Sequence, residues 1–106
     1  TFAITCLDAA GKFLACEVVN EGVADSVEIT FREVAACVLK HNAQWVILSH
    51  NHNVNNALPS DADIKTTIEL KKSLAQLDIR LLDHIIVSGN DYISMRQSAQ
   101  FTSIFK

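Results

Sequence analysis

Residues 45–64, "WVILSHNHNVNNALPSDADI", decide how this chain folds. The run from Trp45 to Ser49 is apolar and bounded by polar residues, which suits a β-strand buried on both faces. Asn53, Asn55, Asn56 and Pro59 then supply turn chemistry. Ser60 is the natural N-cap of a helix predicted from Asp61 to Leu77, with Ile64, Ile68, Lys71 (through its apolar stem), Leu74 and Leu77 marking its inner face. A buried strand leading through a loop into a long helix is a unit of α/β architecture, and sites form where chain leaves such a strand.

The flanking sequence fits that unit. "FAITCL" (2–7) and "FLACEVV" (13–19) read as strands of a hairpin, joined by "DAAGK" with Gly11 in the tight turn. Val27 to Thr30 reads either as a short third strand or as the lead into a helix. Thr30 and Glu33 form a capping-box pattern ahead of a helix ending near Asn42, with Val34, Cys37, Val38 and His41 at three- and four-residue steps. "LLDHIIVSG" and "DYISM" read as two closing strands around a turn at 88–91, and the tail as loop with one amphipathic turn. A helix between strands on two occasions predicts an α/β fold, a mixed β-sheet flanked by helices, as one domain over residues 1–106.

Composition narrows the function. A net charge of −3 and a pI near 5.7 give no basic surplus of the kind that binds a phosphate backbone, so nucleic acid is not indicated as a partner. The longest apolar runs fall far short of the roughly 20 residues that span a membrane. Cys6, Cys16 and Cys37 form no C-x-x-C pair, which favours a reducing compartment and a cytoplasmic location, and all three read as small buried hydrophobes. Trp45 reads as core. With neither an initiator Met nor a secretory leader, Thr1 reads as a processing or truncation boundary.

The chemistry concentrates in the loop after the central strand. His50 and His52 are two residues apart at the strand's end, so the period of two puts both imidazoles on one face. Asp63, on the first turn of the helix, can point back at the same spot. Two neutral nitrogens and a carboxylate leave a fourth position open for water, the arrangement of a catalytic zinc. Each residue also has a plain structural reading: His-x-His as surface or hydrogen-bonded polar decoration, Ser60 with Asp63 as an N-cap and an N3 acid, and the asparagines as turn residues. Asp83 and His84, opening the next buried strand, read either as hydrogen bonding that closes the fold or as support for a ligand histidine.

The order His50-x-His52, seven residues, Ser60, two residues, Asp63 is that of the metal motif of JAB/MPN-type (JAMM) metalloproteases. With "FREV" at 31, "ILSHNH" at 47, "PSDADI" at 59 and "LLDHIIVSGNDYISMR" at 81–96, nearly the whole chain resembles the RadC family within that superfamily. The resemblance implies a cytidine-deaminase-like α/β sandwich and a Zn2+-dependent hydrolase acting on a protein or peptide substrate. His50, His52 and Asp63 would hold the metal, and Ser60 would donate to the oxyanion. It also implies a glutamate general base just before the first strand, upstream of Thr1, with Glu33 the in-chain alternative. Asn53, Val54 and Asn55 replace the family's usual Pro-Ser-Gly, a change in the loop beside the ligands.

Two other enzyme classes lack their residues here. A nucleobase deaminase needs His-x-Glu and Pro-Cys-x-x-Cys, and an HNH nuclease spreads its ligands over a longer hairpin and helix. The remaining rival is a non-catalytic metal-binding or interaction module in a DNA-repair or DNA-maintenance assembly.

Overall fold

The computed structural model describes residues 2–19, 29–52 and 56–106. Strand β1 (Phe2–Leu7) and strand β2 (Phe13–Val19) form the hairpin, and Gly11 adopts φ 84° in its turn, a left-handed conformation that costs glycine no Cβ clash. Helix α1 (Phe31–Lys40) follows, then β3 (Trp45–Asn51), α2 (Asp61–Ala75), β4 (Arg80–Ser88), β5 (Asp91–Ser94) and a 3-10 turn at Thr102–Phe105. The sheet order is β2-β1-β3-β4-β5. β3 lies at its centre, antiparallel to β1 and parallel to β4, so α2 is the crossover that a parallel pair requires. Of the segment read as strand or helix lead, Val27 and Glu28 lie outside the described residues, while Ile29 is buried and Thr30 caps α1. No described helix is long and apolar enough to cross a membrane.

One face of the sheet carries the core. Phe2, Ile4 and Cys6 of β1, Val46 and Leu48 of β3, and Leu81 of β4 pack with Val34, Cys37 and Val38 of α1 and with Leu70 and Leu74 of α2. Along β3 burial alternates, with Val46, Leu48 and His50 buried and Trp45, Ile47 and Ser49 half-buried. The expectation of a strand buried on both faces is therefore corrected. Both helices draw on the same face, which leaves the other face of β3 partly open. Trp45 is half-buried rather than core, with the Arg80 guanidinium 5.4 Å from its ring centroid. Cys16 is exposed on the edge strand, unlike Cys6 and Cys37, and all three thiols are free.

The inner face of α2 is rotated by one residue from its expected place. Asp63, Thr67, Leu70 and Leu74 are buried, whereas Ile64 is half-buried against a second small cluster and Ile68 and Leu77 are exposed. Hydrophobic spacing selected Ile64, Ile68 and Lys71 because the truly inward stripe begins with two polar residues. They face inward because they belong to the site described below.

Leu74, fully buried between α2 and the sheet, anchors that stripe. Leu74→Ala is expected to destabilise the domain by about 2–5 kcal/mol, read as a lower denaturation midpoint at an unchanged slope in urea unfolding.

Candidate metal centre

His50 ends the inward-facing series of β3 and is 3% exposed, and His52 follows where the strand gives way to the loop. Asp63 reaches both from the first turn of α2. Its Oδ1 lies 3.2 Å from His50 Nε2 and its Oδ2 lies 2.8 Å from His52 Nε2. One donor atom from each residue falls within 4.8 Å of the others. For comparison, nitrogen and oxygen ligands about 2.0–2.1 Å from a tetrahedral zinc stand about 3.3–3.4 Å apart. The three side chains are thus already close to the spacing that a shared ion requires.

The hydrogen bonds behind this cluster orient its imidazole rings. The Thr67 hydroxyl donates to the Asp63 backbone carbonyl at 2.6 Å, so its oxygen is left to accept from His84 Nδ1, 2.7 Å away. His84 is then the Nδ1–H tautomer and presents the lone pair of Nε2. Burial first, and the charge of His50 second, push His84 down to about 3, which keeps it neutral in that role. His84 Nε2 therefore accepts from His50 Nδ1 at 2.9 Å. His52 Nδ1 faces the Asn56 carbonyl at 3.4 Å, a group that only accepts. Both imidazoles turn Nε2 toward the Asp63 carboxylate, at a spacing that a shared proton or cation can bridge.

The surroundings hold that arrangement in place. Phe2 stacks against His50 with ring centroids 4.5 Å apart and is itself 2% exposed, so the inner side of the cluster is apolar. Burial raises the Asp63 carboxyl, but the His50 contact and the Ser60 backbone N–H outweigh it and hold the group well below the usual carboxylate range. Ser60 N donates to Asp63 Oδ2 at 2.8 Å while Ser60 Oγ accepts from Asp63 N at 3.1 Å, a reciprocal capping box. The N-cap reading holds, and it is compatible with Asp63 as a ligand because capping aims the carboxylate.

A family model described as the RadC-like JAB domain matches residues 1–100. The chain belongs to this family. A UPF0758 protein of Azotobacter vinelandii is 42% identical over 96 residues, covering 91% of this chain and 43% of that protein. A UPF0758 protein of Pseudomonas putida is 43% identical over 94 residues (89% and 42%), and one of Cupriavidus taiwanensis is 37% identical over 99 residues (93% and 43%). The chain therefore spans about two fifths of the length of the curated relatives it matches. Its mixed five-strand sheet with two helices is the compact α/β fold consistent with a JAB/MPN domain.

In this RadC-like domain the remaining candidates separate. Asp83, read as a possible support for a ligand histidine, makes no hydrogen bond to an imidazole ring among the described residues. Its Oδ1 accepts from the His84 and Arg96 backbone N–H groups at 2.7 and 2.9 Å, and its Oδ2 from the Ser94 hydroxyl. It fastens β4 to β5 and to the turn beyond. The adjacent His84 takes the supporting role instead. Glu33 is engaged by Thr30 in the cap of α1, with Thr30 Oγ1 donating to its Oε1 at 3.1 Å. Asn53, Val54 and Asn55 lie outside the described residues. Thr67 was missed from sequence, although its place one helical turn after Asp63 was a usable signal.

Two substitutions separate support of the site from support of the fold. His84→Ala is expected to weaken metal binding roughly 10- to 100-fold, measured by competition with a chromophoric chelator. Asp83→Ala is expected to lower the melting temperature by a similar amount with and without metal, leaving the chelator titration unchanged. A selective loss of metal affinity in the Asp83 variant would reverse these assignments.

Proposed function

We propose that this domain carries the metal centre of a zinc-dependent hydrolase that cleaves peptide or isopeptide bonds with an activated water. The observation that carries the reading is the convergence of His50 Nε2 and His52 Nε2 on one buried carboxylate. Two imidazoles and a carboxylate suit zinc better than magnesium or calcium, which prefer all-oxygen shells. Three protein ligands also match a catalytic site, which keeps one position open. Bound there, zinc would bring the pKa of a coordinated water down to about 7 and polarise the scissile carbonyl.

The chain's own groups have definable parts in this reading. His50, His52 and Asp63 hold the ion, with His50 kept in the correct tautomer by His84 and Thr67. Ser60 is exposed, and because its oxygen accepts from Asp63 N its hydroxyl hydrogen is available to an oxyanion at the mouth of the site. Phe2 excludes water from the rear of the histidines. β1 enters the sheet with Phe2 paired to His50, so the chain leading into β1 arrives at the metal end. We assign the glutamate that relays the proton to that leading segment. Glu33 is the weaker choice, since it is already engaged in capping α1. Free thiols fit a reducing compartment such as the cytoplasm.

A second reading, a metal-binding module without catalysis in a DNA-maintenance assembly, draws on one observation. The acids Glu17, Glu33 and Asp83 are each engaged away from the His50–His52–Asp63 cluster. The two readings diverge at the segment preceding Phe2.

The expected outcome is loss of one equivalent of zinc in His52→Ala, by elemental analysis after reconstitution. In a version extended upstream by native sequence, peptide or isopeptide cleavage is expected to exceed that of this chain by about 10²- to 10⁴-fold, the usual worth of a general base. Ser60→Ala in the extended version should lower kcat by about 10²- to 10³-fold with zinc retained. Unchanged zinc in His52→Ala would remove the basis of the hydrolase reading. Zinc bound without turnover in the extended protein would favour the module.

A further inference from the structure

A second group of metal-ligating side chains stands between edge strand β2 and helix α1. Glu17 lies on β2 opposite Ile4, on the face that α1 covers, and Cys37 and His41 lie one helical turn apart at the end of α1. His41 Nε2 is 2.5 Å from Glu17 Oε2, and Cys37 Sγ is 3.6 Å from the same oxygen. One donor atom from each of the three falls within 4.8 Å of the others. Phe2 pairs with His50 whereas Glu17 pairs with Ile4, so this cluster is offset from the first by two strand residues, about 7 Å along the sheet, and by two strand spacings, about 10 Å across it.

We propose that Glu17, Cys37 and His41 form a second binding site for a zinc-class divalent ion, which clips edge strand β2 to helix α1. Sulfur and oxygen ligands at about 2.3 and 2.0 Å from a tetrahedral ion stand about 3.5 Å apart, close to the observed 3.6 Å. The His41–Glu17 contact must open by about 0.8 Å to reach the matching nitrogen–oxygen spacing. Both side chains can make that adjustment, being 25% and 37% exposed, and their exposure gives the ion a path from solvent. Lys40 Nζ, 3.7 Å from Glu17 Oε2, has to swing away, and at 68% exposure it is free to do so.

The simpler account is that Glu17, His41 and Lys40 are an ion pair tying the edge strand to the helix. In that account the Cys37 thiol is only a weak donor to the same carboxylate oxygen. Burial pushes the Cys37 thiol up to about 12, with the neighbouring Cys6, 3.7 Å away, adding to the effect, so Cys37 is not a reactive nucleophile. What the thiol can offer is sulfur to a metal, which deprotonates a coordinating thiol outright.

Cobalt(II) distinguishes the two sites, because only the second contains sulfur. In the wild-type chain, kept reduced without added thiol, cobalt is expected to bind to about two equivalents, with a thiolate-to-cobalt charge-transfer band in the near ultraviolet. The band should persist in His52→Ala, which removes only the first site and leaves about one equivalent bound. Cys37→Ser should abolish the band. His41→Gln and Glu17→Gln, both at partly exposed positions, should reduce it at least tenfold at equal cobalt while the far-ultraviolet circular dichroism stays unchanged. No band in wild type together with no cobalt bound to His52→Ala would overturn the proposal, whatever the first site does. A band that survives Cys37→Ser in a folded chain would overturn it equally.

Discussion

The structure turns on one buried polar cluster, the meeting of two imidazoles and a carboxylate at one end of a hydrophobic core. Such a cluster is tolerated only if its members are paired and hydrogen-bonded. The holding groups are visible. Ser60 binds Asp63 on two sides, His84 fixes the ring of His50, and Thr67 fixes both His84 and the backbone of Asp63. With Asp63 at its start and Thr67 in its second turn, α2 is both the capped helix of a crossover and one wall of the site.

The central strands are arranged to serve that wall. β3 carries Val46, Leu48 and His50 on one face, so the series that builds the core ends in a candidate ligand. β4 lies parallel beside it and contains a bulge, in which Leu82 is the extra residue between the Val46–Leu81 and Ile47–Asp83 pairs. A strand without the bulge would alternate from inward Leu81 to inward Asp83. The additional residue reverses that parity and brings His84 inside, against His50, while Asp83 turns to the outer face and to Ser94. A one-residue irregularity thus decides which of two adjacent polar side chains reaches the histidines.

The family match covers residues 1–100, and the geometry separately groups His50, His52 and Asp63 where one ion could bind. The family match concerns the domain, and the relatives are more than twice its length. The hydrogen-bond relay adds a physical reason for that grouping, since it directs His50 Nε2 to the carboxylate. It also makes His84 and Thr67 positioning residues whose influence passes through His50 alone.

Much of this was legible in the residues themselves. The hairpin, the caps at Thr30 and Ser60, and the strand-loop-helix passage through residues 45–64 follow from local propensity and turn chemistry, which act over a few residues and leave their mark in sequence. The spacing of His50, His52 and Asp63 was equally local. What sequence misplaced depends on contacts between distant segments. The stripe of α2 was assigned to Ile64 and Ile68 because polarity alone cannot tell a solvated threonine from Thr67, buried against His84 of another strand. Asp83 and His84 could not be separated because a bulge is a property of the pairing between two strands and has no signature in one of them. The thiol of Cys37 was read as a small hydrophobe, and its place beside Glu17 and His41 exists only once β2 folds back under α1. Local sequence determined the elements and the ligand spacing, whereas the partners of each buried polar group were decided by tertiary structure, because a hydrogen bond between residues far apart in the chain has no term that either residue carries alone.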